Sequence, residues 1–340
     1  MASLLAVSIA GCGGDDGGAT TDDGGGASAD AKVDLSGQSV RIGTAALSPL
    51  DMGTTYAIQL LEDWGADVQH EQLTSISGLE AIVADQIDIS GRSSDEVVDG
   101  NARGVPVVAF GSTTSAMHYA MVGAPGIDDI AALEGKSIAV SGPGGFDTIL
   151  ITALLREEGL DPESDVTMVP IGGSSERTAA MLAGQADAAM VFISNWLSLQ
   201  EVGAEVGLVG YVADMIPDLS SRTLAAKREY LDTKPDLALG VACANLEANQ
   251  WINENREGFI EFTTEHVTGT TPEAVGAFYD EAITLGMFPT EPEKVLSAEA
   301  YQTTADLMFE GGLIEQEVDA TEFVDPSYLQ EAAEMGCGTD

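Results

Sequence analysis

Basic residues are scarce in this chain: Lys and Arg number 13 against 56 Asp and Glu, a formal net charge of −43 over 340 residues. So acidic a surface repels nucleic acid and anionic lipid alike, which excludes a general polyanion partner. The excess reads as a property of the whole solvated surface, as in proteins from saline surroundings. Histidine is scarcer still, with three widely separated copies, and no zinc-type cluster can be assembled from them. There is no Gly-x-Ser-x-Gly elbow for nucleophilic catalysis, and carboxylates are so numerous that no one pair is informative. Long apolar runs are missing, and without about twenty consecutive apolar residues no transmembrane helix is expected. What is present is enough hydrophobic sequence, 44%, for real cores, and a length that suits two domains. No metal and no cofactor is implied.

Cysteine is nearly absent, with three copies, and the position of each is informative. Cys12 closes the apolar segment Leu4-Leu-Ala-Val-Ser-Ile-Ala-Gly-Cys12, and a Gly/Asp/Thr/Ser/Ala run follows to about residue 31. Ile9-Ala-Gly-Cys12 resembles the lipobox of bacterial and archaeal lipoproteins position by position. That resemblance implies removal of residues 1–11 as a signal remnant and a lipid on Cys12, with residues 12–37 as a flexible, solvated tether. Export signals carry a positive n-region; none precedes the apolar segment here, so the start is expected upstream of Met1. In an exported protein Cys243 and Cys337 are expected as a disulfide, from compartment and parity. If reduced, Cys243 would be a small buried apolar residue.

Two stretches about a hundred residues apart spell nearly the same pattern. Gly78-Leu-Glu-Ala-Ile-Val-Ala-Asp-Gln-Ile-Asp88-Ile-Ser90 and Thr178-Ala-Ala-Met-Leu-Ala-Gly-Gln-Ala-Asp187-Ala-Ala-Met190 each predict a short amphipathic helix, a tight turn, and an Asp leading into an apolar strand. A repeated αβ unit predicts two α/β lobes with a cleft between them. In such sheets ligands sit beyond the carboxyl ends of the strands. Strands alternate with helices up to about residue 235, which predicts mostly parallel sheets. Beyond that the pattern is almost wholly helical.

Several further segments carry a family resemblance: Val40-Arg-Ile-Gly43, Asp85-Gln-Ile-Asp88, Gly104-Val-Pro-Val-Val108, Leu133-Glu-Gly-Lys-Ser-Ile-Ala-Val140, Leu182-Ala-Gly-Gln-Ala-Asp-Ala188, Trp251-Ile-Asn-Glu-Asn255 and Val324-Asp-Pro-Ser-Tyr-Leu329. In this order, from about residue 38 to residue 332, they resemble the extracytoplasmic substrate-binding proteins of ABC importers. The group in question serves sulfonates, taurine, nitrate and thiamine-pyrimidine precursors. The resemblance implies a periplasmic-binding-protein-like α/β fold of two lobes joined by crossings near residues 115–121 and 211–224. Lobe 1 would comprise residues 38–115 plus 222–340, and lobe 2 residues 116–221. It also implies a monomer that delivers a small-molecule ligand to a membrane permease powered by a separate ATPase, touching the membrane only through its lipid. The ligand is expected to be small and polar, either anionic or heteroaromatic. Two alternatives stay open: an extracellular sensing module, and an enzyme of the same fold acting on a thiamine- or menaquinone-type precursor.

Candidate ligand contacts fall on loops that leave strand ends, where a rigid scaffold presents variable side chains. Ser141, Gly144, Gly145 and Phe146 lie between a strand and a helix, a helix start that favours an anionic or strongly polar group. Ser75 and Ser77 offer hydroxyls before the first repeat helix, and Thr44 and Ser48 line the first loop. Ser90 and Arg92 end the first repeat strand. Arg92 is able to pair an anion bidentately or to form a salt bridge with Asp95 or Glu96. Phe192, Asn195 and Trp196 follow the second repeat strand as one wall of a pocket. His118, near the first crossing, reads as structural.

Overall fold

The computed structural model describes residues 32–339, so the expectations for the signal remnant and for lipidation at Cys12 lie outside the described residues. Among the described residues, ten strands and fourteen α-helices follow one another. The first sheet takes β1 (Ser39–Thr44), β2 (Asp67–Gln72), β3 (Ile89–Gly91) and β4 (Val107–Gly111), connected by α1 (Met52–Asp63), α2 (Gly78–Val83) and α3 (Ser94–Ala102). The chain then enters the second sheet with β5 (Tyr119–Gly123) and builds β6 (Ser137–Val140), α4 (Phe146–Glu157), β7 (Thr167–Pro170) and α5 (Ser174–Leu182). β8 (Ala188–Phe192), α6 (Ile193–Glu201), β9 (Gly207–Tyr211) and α7 (Val212–Met215) complete that sheet. β10 (Leu224–Lys227) returns to the first sheet. The remainder is helical: α8 (Arg228–Thr233), α9 (Pro235–Glu254), α10 (Arg256–His266), α11 (Pro272–Thr284), α12 (Pro292–Val295), α13 (Ala298–Glu310) and α14 (Ser327–Glu334).

The two sheets share one topology, β2-β1-β3-β10-β4 and β7-β6-β8-β5-β9. In each, four strands run one way and the fifth runs against both its neighbours. The odd strand is in each case the one arriving from the other sheet, β10 or β5. The sheets are therefore mixed, although each αβ unit pairs in parallel as the alternation predicts.

The repeat read in the sequence is carried into hydrogen bonds. Asp88 accepts the Arg41 N–H through Oδ2 at 2.9 Å, while its own N–H donates to the Arg41 carbonyl at 2.9 Å. Asp187 accepts the Ser137 N–H through Oδ2 at 2.8 Å, and its N–H donates to the Ser137 carbonyl at 2.9 Å. Each Asp thus locks its strand to the parallel strand beside it, β1 in one sheet and β6 in the other. The turn before it needs a left-handed residue, supplied by Asp85 (φ 54°) in one unit and Gly184 (φ 68°) in the other.

Period-two alternation distributes the second sheet's side chains over two faces. Met121, Ile138, Val140 and Met190 pack under α4 and α7. Ala120, Val122, Ala189 and Val191 face a separate cluster containing Trp196 and Leu199 of α6. α10 and α11 join that second cluster through Phe259, Val275, Phe278 and Tyr279. The largest cluster surrounds the first sheet and takes in α9, α13 and α14. It also takes in Leu35, fully buried against Gly240. Val33, partly buried, packs on the same cluster, so packing reaches inside the segment 12–37 expected as a tether. Cys243 on α9 is joined to Cys337 just past α14 in a disulfide spanning 94 positions.

Candidate functional site

The residues that bring the two sheets together also enclose a cavity of about 250 Å³. The segment before β5 supplies Met117 and His118, the first residue of β5 is Tyr119, and the segment before β10 supplies Ser221 and Arg222. His118 Nδ1 lies 2.8 Å from Ser221 Oγ, tying one crossing to the other. The second crossing is stitched to the first lobe by backbone bonds. Arg222 N–H donates to Thr114 O, Thr223 N–H to Arg92 O, and Ser94 N–H to Ser221 O, and a bridge pairs Ser93 with Arg222. One wall is aromatic: Tyr119 faces Phe192 across the β5–β8 pairing, and their ring centroids are 5.3 Å apart. His118 lies 4.7 Å from Tyr119 and 4.9 Å from Phe192. Phe146, first residue of α4, closes the lobe 2 side.

The opposite wall is charged. Arg92 Nε donates to Glu96 Oε1 at 2.9 Å, and its Nη1 donates to the Leu73 carbonyl at 2.9 Å. Of the two roles open to Arg92 in the sequence, the structure shows the salt bridge. Asp95 accepts from Ser93 Oγ; burial lifts its carboxyl above the ordinary carboxylate range, and Ser93 offsets part of that. Arg222 Nε sits 3.3 Å from Asp51 Oδ1 and is buried without a hydrogen-bond partner. Burial, then the neighbouring Arg222 charge, holds the His118 imidazole well below its ordinary value, so the ring is neutral near pH 7. Burial also raises the Tyr119 phenol, which stays protonated.

Three helix starts near the cleft already hold a carboxylate, whereas α6, capped by Phe192, has no acid in its first turn. Asp51 accepts the Ser48 N–H and Oγ–H. Glu80 forms a capping box with Ser77, and Glu96 accepts the Leu79 N–H at 3.1 Å. Asp147, in the first turn of α4, accepts the Ser141 N–H at 2.9 Å and the Ser141 hydroxyl. Its other contact is Arg177, with Nη1 3.5 Å from Asp147 Oδ2 and both side chains buried. The Gly-rich loop read as an anion cradle is thus filled from within.

Three of the sequence-selected residues, Arg92, Phe146 and Phe192, line the cavity. Ser77 and Gly144 line an adjoining space of about 210 Å³ that shares Asp95, Glu96 and Phe146 with the first. The others are placed elsewhere. Thr44 bonds His70 at 2.8 Å, Ser48 caps Asp51, Ser75 is exposed and Ser90 is buried in the first sheet. Ser141 is held by Asp147, and Gly145 is the N-cap of α4. Asn195 accepts from Ser174 Oγ at 2.6 Å, and Trp196 is packed in the core below α6. Ser93, Asp95, Glu96, Met117, His118, Tyr119, Ser221 and Arg222 are the wall residues that the sequence reading did not select. They lie at the crossings or at the start of α3, and no local pattern marks a crossing. A larger groove of about 480 Å³ runs over α9 and the segment between α11 and α12, but no residue of the second sheet or its helices lines it.

The His118–Ser221 pair has the separation of a base and a nucleophile, yet Ser221 is 1% exposed. What the cleft offers is contact: a flat aromatic wall, and acceptors and donors opposite it. No helix among the described residues is long and apolar enough to cross a membrane.

Two mixed α/β sheets of matched topology, linked by two crossings around a cavity, are the architecture of the periplasmic binding proteins, and a solved protein of that generic fold superimposes at a TM-score of 0.64. A periplasmic aliphatic sulphonate binding protein from Escherichia coli matches at a TM-score of 0.71 and 21% identity, covering 85% of this chain and 92% of that one. An alkanesulfonate-binding protein from Xanthomonas axonopodis, bound to MOPS, gives 0.65 and 20% over 85% and 99%. A periplasmic nitrate-binding protein from Synechocystis gives 0.68 and 13% over 87% and 88%. At these identities the likeness carries the fold. Residues 60–258 match the family model described as NMT1/THI5 like, and the chain belongs to that family. No curated protein matches it in sequence.

Proposed function

We propose that this chain is the solute-binding component of an ABC importer, held outside the cytoplasm by a lipid on Cys12. It captures a small, flat heteroaromatic solute between residues 38–115 plus 222–340 and residues 116–221, and presents it to a permease driven by a separate ATPase. The observation that carries the reading is the His118–Tyr119–Phe192 wall facing Asp95, Glu96 and Arg222 across one cavity. A ring stacks on the aromatic face, and ring N–H or amino groups donate to the acidic wall. Because Asp51, Glu80, Glu96 and Asp147 already occupy the helix starts they serve, a free anion gains little at those starts and meets nearby negative charge. One observation favours an anionic solute instead, the unbonded Nε of Arg222.

Thermal unfolding with cytosine, 4-aminopyrimidine, riboflavin, benzoate, taurine and nitrate separates the two. A saturating heteroaromatic ligand should stabilise by about 2.7 kcal/mol at a hundredfold excess over Kd, and Tyr119→Ala should abolish the shift. Stabilisation by taurine or nitrate alone, removed by Arg222→Ala, would transfer the assignment to anions.

A further inference from the structure

The C-terminal helices grip the second sheet on both faces, and the two grips are built differently. On the face carrying Ala120, Val122, Ala189 and Val191, α10 and α11 merge with α6 into one continuous buried cluster. On the face carrying Met121 and Met190, α13 meets α4 through a narrow contact. Leu307 of α13 packs on the second sheet's cluster, while Phe146 of α4 packs on both that cluster and the first sheet's. The 210 Å³ space beside this contact, lined by Gly144 on one side and Met308 and Leu313 on the other, is left unfilled.

Gly311, at the end of α13, shows how close the approach is. Its backbone is ordinary (φ −80°, ψ −7°), and the left-handed turn is taken by the next residue, Gly312 (φ 73°). Conformation therefore does not demand glycine at 311; space does. A Cβ there would lie 2.5 Å from Ile149 Cδ1, 2.8 Å from Ile149 Cγ1 and 3.0 Å from the Leu307 carbonyl. Nearby, a Cβ on Gly144 would make ordinary contact with Leu313 Cδ2 at 3.7 Å.

We propose that the seat of Ile149 on Gly311 is a latch: α13 and α4 part there while α10–α11 and α6 stay joined, and the parting opens the cleft. The inference rests on the cleft being the solute site. The latch space and the cleft share Asp95, Glu96 and Phe146, so separation at Gly311 exposes the solute pocket directly. A narrow apolar contact beside an unfilled space costs little to break, whereas the continuous cluster on the other face does not part in pieces. Ile149 and Gly311 then set how long a solute is retained without touching it.

The test uses ligand-free protein, so its result is independent of which solute binds. Small-angle X-ray scattering and amide hydrogen exchange are compared for wild type, Gly311→Val, Ile149→Ala and the pair Gly311→Ala with Ile149→Ala. Gly311→Val wedges the seat apart and Ile149→Ala empties it. Both should enlarge the radius of gyration and speed exchange at residues 146–150 by about tenfold, as a shifted two-state equilibrium requires. The pair, which exchanges volume across the contact, should restore both toward wild type. Should Gly311→Val fail to fold, Ile149→Ala, which adds no atoms, decides alone. Scattering and exchange equal to wild type in the folded variants would overturn the latch and leave the cleft assignment standing. A responding latch in a protein that binds none of the six compounds would do the reverse.

Discussion

At the residue scale the cleft is governed by which charges are already engaged. Arg92 was prominent in the sequence because arginines are few, yet it spends its Nε on Glu96 and an Nη on the Leu73 carbonyl. His118, unremarkable in sequence, becomes a cavity wall because both crossings pass beside it. Its environment makes a pH prediction. The folded ring is held well below its ordinary value by burial and Arg222, while the unfolded ring titrates near about 6.5. Below that pH the unfolded chain binds a proton that the folded chain refuses. Stability is therefore lost as pH falls through this window, by up to about 1.4 kcal/mol per pH unit for one group. Asp95, whose carboxyl is raised by burial, acts with the opposite sign. Urea unfolding at pH 7.5, 6.5 and 5.5 should show a shallower decline for His118→Asn than for wild type; parallel declines would remove His118 as the source.

At the element scale, helix starts served by an internal acid recur beside the cleft, at Asp51, Glu80 and Asp147. The α4 start is the most deeply committed: Asp147 holds the Ser141 loop, and Arg177, 3% exposed, neutralises Asp147 while its Nε donates to the Met190 carbonyl at 2.8 Å. Arg177→Met keeps much of the volume but strands a buried carboxylate. We expect it to cost about 3–5 kcal/mol in urea unfolding, and the double variant with Asp147→Asn to recover part of that. A loss under about 1 kcal/mol, the scale of a surface pair, would mean the pair is not a structural anchor. The glycines of this loop were legible as a helix start. That the start was already occupied was not, because Arg177 comes from α5, thirty positions later in sequence.

For the whole molecule, the C-terminal third does more than cover the first sheet. It reaches both faces of the second, and α14 is fastened to α9 by the Cys243–Cys337 bond. A crosslink over 94 positions removes much of the unfolded chain's freedom. Cys337→Ser should therefore lower unfolding stability by about 2–5 kcal/mol, measured by guanidinium titration of non-reduced protein. Equal midpoints for the variant and wild type would show that α14 docks without the bond.

The sequence by itself determined the class of fold, through hydrophobic period and turn chemistry. Helix–turn–Asp–strand units at 78–90 and 178–190 repeat because each Asp makes the same pair of bonds to the strand beside it in its sheet. Such bonds depend on residues at defined positions within one lobe, so they leave a readable pattern. The cleft wall was decided by the tertiary structure. His118, Ser221 and Arg222 come from the two crossings, and Tyr119 meets Phe192 only once β5 has inserted against β8. No period or motif records which segments a chain will bring back together. The same holds for Gly311, whose missing side chain has meaning only against Ile149 of the opposing lobe.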